Sequence, residues 1–381
     1  MKIFIATETR VCIVGDRLYT SNSFRVVLER YHKAFHDVVL CTRFLNVDEN
    51  DLPKSYEDAT DFVDSTVELA NLKEIVFGKK DKHIQDQIKN CRLVVARVPS
   101  VVAYRTASIA KKLGIPYMVE VVGCTWDSYW NYNWKSKALA LPSYLLMRKV
   151  VKNANYASYV TEYFLQKRYP CNCDSIHASN VIVDCSENGV LERRLEKIRN
   201  KQNNKFVLFT AAAIDVAYKG QEYVIKAVQI LQKKGIRIEY RLGGNGNPDR
   251  LKRIASECGV SDNVKFLGGL SRTMVIQELD SCDVYIQPSL QEGLPRSVIE
   301  AMSRGCPALG ARTAGIPELI ASECVFKRAN PADTAKAIKW MLNENMEKYA
   351  RMNYSKAQEY DKTVLEKRRN GYYQKIMNEV G

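Results

Sequence analysis

Two carboxylates stand out for their setting. Glu292 and Glu300 flank the segment Gly293-Leu294-Pro295-Arg296-Ser297-Val298-Ile299. Val284-Tyr285-Ile286 reads as a strand that Pro288-Ser289 ends, and 297–303 reads as a helix that Gly305 ends before Pro307 opens the next strand. Glu292 then lies on the loop between strand and helix, and Glu300 lies about two turns further along. Ligands of open parallel sheets bind at the carboxyl ends of strands. A helix start there offers N–H groups and a positive dipole to phosphate. One carboxylate can reach the reacting end of a ligand while the other holds a different part. Glu300 taken alone reads equally well as a solvated helix residue. Gly243-Gly244-Asn245-Gly246 does not complete a G-x-G-x-x-G fingerprint and reads as a turn that a ligand approaches closely.

The elements that must position these residues form two series. Short apolar runs recur at 3–6, 38–41, 93–96, 117–122 and 156–160, and again at 206–210, 238–242, 264–267, 284–286 and 307–309. Helix-like stretches separate them. This alternation indicates parallel sheets covered on both faces. Two series suggest two Rossmann-like domains. The stretch 186–205, SENGVLERRLEKIRNKQNNK, is charged and nearly free of β-branched residues, so 186–204 reads as a linker. The expected division is a domain over 1–185, the linker, a domain over 205–358, and a C-terminal helix over 359–381 that packs back on the first domain.

A chain of 381 residues suits two domains at roughly 150 residues each. Its 46% hydrophobic and 26% charged residues exclude disordered, collagenous and disulfide-scaffold classes. The net charge of +14 suits an anionic partner: a phosphorylated small molecule, an anionic membrane or nucleic acid. No nucleic-acid motif is present, which weakens the last. The eleven cysteines are scattered, with only Cys171-Asn172-Cys173 closely spaced, and imply a reducing compartment. Paired CxxC spacings are absent, and His32 and His36 have no Glu between them, so no metal site is expected. The N-terminal apolar run is too short for a signal peptide, and no apolar stretch is long enough to span a membrane. A cytoplasmic location is expected.

In 126–152, Trp126, Trp130 and Trp134 precede Lys135, Lys137, Arg148, Lys149 and Lys152 around a leucine-rich centre. Aromatic and basic residues on an amphipathic stretch suit an anionic membrane surface. A helix packed in the first domain with a basic outer face accounts for the same pattern.

The sequence resembles the family 4 retaining glycosyltransferases. Glu292 and Glu300 match the E-x7-E motif, set in PS-x-x-E-G and E-A-M and followed by A-G-I-P-E. Lys219-Gly220, Leu242-Gly243-Gly244-Asn245-Gly246 and Val264-Lys265-Phe266-Leu267-Gly268 fit in order. The resemblance covers roughly 205–330. It implies a GT-B fold, with two Rossmann-like domains facing each other across an active-site cleft. By position, Glu292 resembles the carboxylate that contacts donor sugar hydroxyls, and Glu300 the one that grips the ribose. Lys219 resembles the lysine that neutralises the diphosphate, with a surface lysine as the alternative reading. Gly293, Leu294, Pro295, Arg296 and Ser297 resemble the loop near sugar and diphosphate, Gly244 the close-approach turn, and Leu270 a residue packed near the base. No D-x-D occurs, which fits metal-independent GT-B chemistry without a cofactor.

Two departures accompany the match. Ala213 and Ile214 stand where relatives carry a phosphate-binding arginine, which leaves Arg296 or another cation to substitute. No histidine follows the fourth strand, where Glu120 and Asp127 in Glu120-Val121-Val122-Gly123-Cys124-Thr125-Trp126-Asp127 are the polar candidates. Asp127 also suits a helix cap. The resemblance implies retaining transfer of a sugar from a nucleotide sugar, UDP by default, to a carbohydrate or lipid-linked hydroxyl acceptor. The front-face route of the family lets the departing phosphate oxygen take the acceptor's proton. Bacterial surface-polysaccharide or lipopolysaccharide assembly is the implied setting. A non-catalytic nucleotide-sugar binder and a GT-B epimerase are the alternatives.

Overall fold

The computed structural model describes residues 1–53, 55–68, 81–131, 133–202, 205–343 and 346–381. The chain forms two units. One comprises 1–129, 135–180 and 366–381, and the other 130–134 and 181–365.

The first unit contains β1 (Lys2–Ala6), β2 (Val11–Val14), β3 (Arg17–Ser21), β4 (Asp37–Thr42), β5 (Phe44–Asn46), β6 (Tyr56–Asp58), β7 (Ser65–Glu68), β8 (Leu93–Val98), β9 (Tyr117–Val121), β10 (Tyr156–Tyr159) and β11 (Ser175–His177). Seven of them make one parallel sheet in the order β11-β10-β9-β8-β1-β4-β7. Its central strands are apolar runs because both faces are covered. Ile3, Ile5, Val38, Leu40, Leu93 and Val95 pack with Tyr31 and Phe35 of the helix Asn22–Phe35 and with Tyr373 and Ile376 near the C-terminus. The last two belong to the helix Lys362–Val380, most of which lies in this unit.

A second sheet, β5-β2-β3-β6, was not expected. β2 and β3 are antiparallel and turn at Gly15-Asp16, where Gly15 adopts φ +60°. The signal was present in Val-Cys-Ile-Val, a Gly-Asp pair and Arg-Leu-Tyr-Thr, a short-hairpin pattern.

The second unit holds β12 (Lys205–Ala211), β13 (Arg237–Gly243), β14 (Val264–Gly268), β15 (Val284–Gln287), β16 (Ala308–Ala311) and β17 (Val325–Phe326). They form one parallel sheet in the order β14-β13-β12-β15-β16-β17. The order reverses between β12 and β15, which puts a topological switch point at their carboxyl ends.

The linker reading of 186–204 needs correction. Residues 203 and 204 lie outside the described residues, but Val190–Arg199 is a helix of the second unit. Its composition is polar because one narrow face carries the contacts. Val190 and Leu195 are buried, and buried Arg194 donates to the carbonyls of Cys282 (2.7 Å) and Arg304 (3.3 Å) and to that of Leu279. Apart from the short excursion 130–134, the chain crosses between units at 180–181 and returns at 365–366.

Candidate functional site

β12 and β15 are neighbours, and the loops that leave their carboxyl ends carry Lys219 and Glu292. Lys219 Nζ donates to Glu292 Oε1 at 2.8 Å, with both side chains largely buried. Backbone geometry fixes the approach. Gly220 takes φ +73°, and a Cβ there would stand 2.2 Å from the Pro288 carbonyl oxygen, so only glycine lets the two loops meet. Leu290 N–H then bonds Tyr218 O at 2.7 Å, and Gly315 N–H bonds Gly293 O at 2.9 Å. The helix Arg296–Ser303 opens directly after this loop, with Pro295 before its first residue.

Gln287, the last residue of β15, is 1% exposed and was not singled out from the sequence. Its Nε2 donates to Glu292 Oε1 (3.1 Å) and Ser289 Oγ (2.8 Å), and its Oε1 accepts from Tyr285 (2.6 Å) and Ser297 (3.1 Å). A polar residue closing an otherwise apolar strand, just before Pro288, was the available signal.

Glu300 lies on the same helix, and its carboxylate accepts no hydrogen bond from the described residues. Burial pushes its carboxyl up, against the pull of Arg296 and Arg272. Glu300 is therefore a half-buried carboxylate without a hydrogen-bond donor among the described residues. Arg296 is exposed at the first helical position.

At Gly244 the backbone runs close to the loop that follows β12. A Cβ there would lie 1.9 Å from Ala212 O, so the close approach is to the protein's own backbone. Leu270 packs beside Gly243, where a Cβ would meet its Cδ1 at 2.6 Å. Ala213 and Ile214 hold the chain in place of an arginine: Ala213 O accepts from Gln221 (2.8 Å), and buried Ile214 bonds Asn245 O through its N–H (3.0 Å). Gln221 Oε1 and Thr313 Oγ1 are buried without a partner among the described residues. Both follow carboxyl ends of this sheet, after β12 and β16 respectively. An unmet buried polar atom costs about 1–3 kcal/mol.

The polar candidates of the first unit fare differently. Glu120 is no open site residue. It accepts from Arg97 (2.6 Å), Tyr31 (3.1 Å) and Asn180 (2.9 Å) and is buried. Burial alone would raise its carboxyl, but the Arg97 guanidinium and the Asn180 amide outweigh that and hold it at about 2. A strand position facing the half-buried Arg97 explains this, a pairing that residue type and spacing do not reveal. Asp127 lies in the short helix Thr125–Trp130 and is 3.3 Å from Arg168 Nη1. As the third residue of that helix it does not occupy the cap position. Asp127 belongs to the first unit, and Lys219, Glu292, Glu300, Gln287 and Leu270 to the second.

The stretch 126–152 is not one continuous helix. Thr125–Trp130 and Lys137–Lys152 are separate, and Trp126 stacks edge-on to Tyr144 at 6.1 Å. On the longer helix Ala140, Met147, Val150 and Val151 face the core, while Leu139, Leu141, Leu145 and Leu146 are exposed, Leu145 at 55%. Among the described residues, no helix is long and apolar enough to cross a membrane, and no three His, Cys, Asp or Glu side chains gather as a metal site.

Protein CapJ of Staphylococcus aureus is 31% identical over 365 residues, covering 93% of this chain and 87% of that protein. The family profile described as glycosyl transferases group 1 matches residues 192–359. The chain belongs to the group 1 glycosyl transferases. The matched segment of this glycosyltransferase contains Lys219, Gln287, Glu292 and Glu300. Solved structures share its fold. HepE of Anabaena in complex with UDP superposes with a TM-score of 0.68 at 13% identity, covering 100% of both chains. WaaG, described as a glycosyltransferase involved in lipopolysaccharide biosynthesis, gives 0.64 at 14% identity, covering 98% of this chain and 99% of that one. The glycosyltransferase therefore has the GT-B fold, built on two Rossmann-like units.

Proposed function

We propose that this glycosyltransferase moves a hexosyl group from a UDP-sugar to a hydroxyl acceptor with retention at the anomeric carbon, without a metal, in assembly of a bacterial surface polysaccharide or lipopolysaccharide. The observation that carries the reading is the Lys219–Glu292 pair at the β12/β15 switch point, with Glu300 unpaired on the adjoining helix. In this reading Glu300 accepts the ribose hydroxyls, and Glu292 accepts sugar hydroxyls through its unpaired oxygen. The loop Gly293–Ser297 lies along the diphosphate and Leu270 beside the base. The bond from C1 to the diphosphate oxygen breaks while the acceptor oxygen bonds C1 on the same face. The acceptor's proton passes to the departing phosphate oxygen. Lys219, fixed in advance by Glu292, meets the charge that grows there without reorganisation. Asp127 is proposed to serve the acceptor side. UDP as the base draws support from HepE, solved with UDP, and the setting from the lipopolysaccharide role of WaaG.

The acceptor is proposed to be carbohydrate or lipid-linked and to be met at the inner face of the plasma membrane. The support is the helix Lys137–Lys152, whose exposed leucines lie between 139 and 146 and whose exposed Arg148, Lys149 and Lys152 end it. Apolar insertion beside cations suits an anionic interface.

The test is a thermal-shift series with UDP, GDP, ADP and their glucose conjugates, followed by donor hydrolysis without acceptor. A ligand that binds only the folded state raises the melting temperature by mass action. Stabilisation by UDP compounds with slow release of UDP from UDP-glucose is the expected result. Stabilisation without any turnover of a bound donor would make the protein a nucleotide-sugar binder instead.

A further inference from the structure

We propose that Gln287 is a positioning residue of this site: its amide holds one oxygen of Glu292 and so aims the other at the transferred sugar. The inference rests on the donor-site reading above.

All four hydrogen-bonding positions of the Gln287 amide are used. The oxygen takes the Tyr285 hydroxyl at 2.6 Å and the Ser297 hydroxyl at 3.1 Å, while the nitrogen gives its hydrogens to Ser289 at 2.8 Å and Glu292 at 3.1 Å. The carboxylate partner decides the orientation, because an ionised Glu292 only accepts and the nitrogen must face it. Tyr285, Gln287 and Ser289 are fully buried, so no water competes for these bonds. A satisfied buried network is rigid, and each member fixes the next.

Glu292 Oε1 then carries two donors, Lys219 and Gln287, and Oε2 accepts none from the described residues. Lys219 alone would leave the carboxylate free to turn about its own bond to the cation. The second donor, coming from a strand end rather than a long flexible side chain, removes that freedom. Ser297 extends the linkage to the first turn of the helix that carries Glu300. One amide thus sets the sugar-facing carboxylate in register with the helix that holds the other.

The test compares the full-length wild type with Gln287→Met and Gln287→Glu, using UDP for binding and UDP-glucose for hydrolysis. Methionine keeps the volume and removes every hydrogen bond. A misplacement near 1 Å costs about 10²-fold, so kcat for UDP-glucose should fall by roughly 10- to 100-fold. The Kd for UDP should stay within about twofold, since UDP lacks the transferred hexosyl group that Glu292 would meet. Glutamate restores the shape and, while protonated, donates to Glu292 as the amide did. As pH rises it ionises and repels Glu292, so the variant should lose activity by about tenfold or more between roughly pH 5.5 and 8.5. The wild type should lack that falling limb. Wild-type kcat in Gln287→Met, or loss of UDP affinity in step with turnover, overturns the positioning role. A Gln287→Glu profile that parallels the wild type also overturns it. A wild type that binds neither UDP nor UDP-glucose defeats the donor-site reading itself, whatever the variants do.

Discussion

Glu300 pays for its readiness in stability. Its carboxyl is raised by burial, which means the folded state prefers it neutral. Above that raised pKa the ionised group destabilises the fold, and the cost disappears as pH falls and the proton returns. Glu300→Gln should therefore raise the melting temperature at about pH 8 while raising the donor KM by roughly 10- to 100-fold, the worth of a charge-assisted hydrogen bond. A carboxylate on the ribose binds ground and transition states alike, so kcat should change less than KM. Equal falls in kcat and kcat/KM at constant KM would sink the ribose assignment. Lys219 differs, because the charge it meets grows during reaction. Lys219→Ala should lower kcat by about 10²-fold or more in single-turnover measurements. Near-normal turnover would transfer the role to another cation such as Arg296.

At the scale of elements, two helices show how little composition reveals about which face is used. Val190–Arg199 reads as a solvated linker, yet Lys197 donates to the carbonyls of Asp280 (2.9 Å) and Cys282 (2.7 Å) around the end of the helix Arg272–Ser281. Cations at a helix C-terminus satisfy its last carbonyls and its dipole. The helix Lys137–Lys152 shows the opposite case, with four leucines left in solvent. If it docks on lipid, Lys149→Glu with Lys152→Glu should abolish co-sedimentation with anionic vesicles at low salt and leave donor hydrolysis unchanged. Each cation near such a surface contributes roughly 1 kcal/mol, and added salt should release the wild type over a Debye length of about 8 Å at physiological strength. Equal sedimentation of mutant and wild type removes the membrane proposal.

For the whole molecule, the connectivity matters most. The chain leaves the first unit after residue 180 and returns to it at 366, so the last residues complete a core begun by the first. Tyr373 is buried with ring centroids 5.6 Å from Tyr31 and 5.3 Å from Phe35. Tyr373→Ala should destabilise the first unit by about 3–5 kcal/mol in urea unfolding, the usual cost of removing a buried aromatic side chain. A loss below about 1 kcal/mol would show that the C-terminal helix adds little to that core.

Ten of the parallel strands were legible because a strand covered on both faces is apolar along its length, and runs as short as 3–6 or 284–286, bounded by polar or turn residues, fit strands better than helices. The loop with Glu292 and the helix with Glu300 were legible for a related reason: Pro288, Pro295 and Gly305 punctuate the chain locally. The small mixed sheet escaped because its strands are short and half-exposed. The role of Glu120 escaped because a carboxylate looks the same in sequence whether it faces solvent or Arg97. Gln287 belongs to the same class. Its four bonds come from residues within ten positions, but only the turn of the chain between β15 and the following helix points them at one amide. Local pattern determines which segments become strands, turns and helices, since those depend on periodicity and backbone freedom. Which polar groups meet is decided by tertiary structure alone, because a hydrogen bond needs its partners within about 3 Å and at a fixed angle.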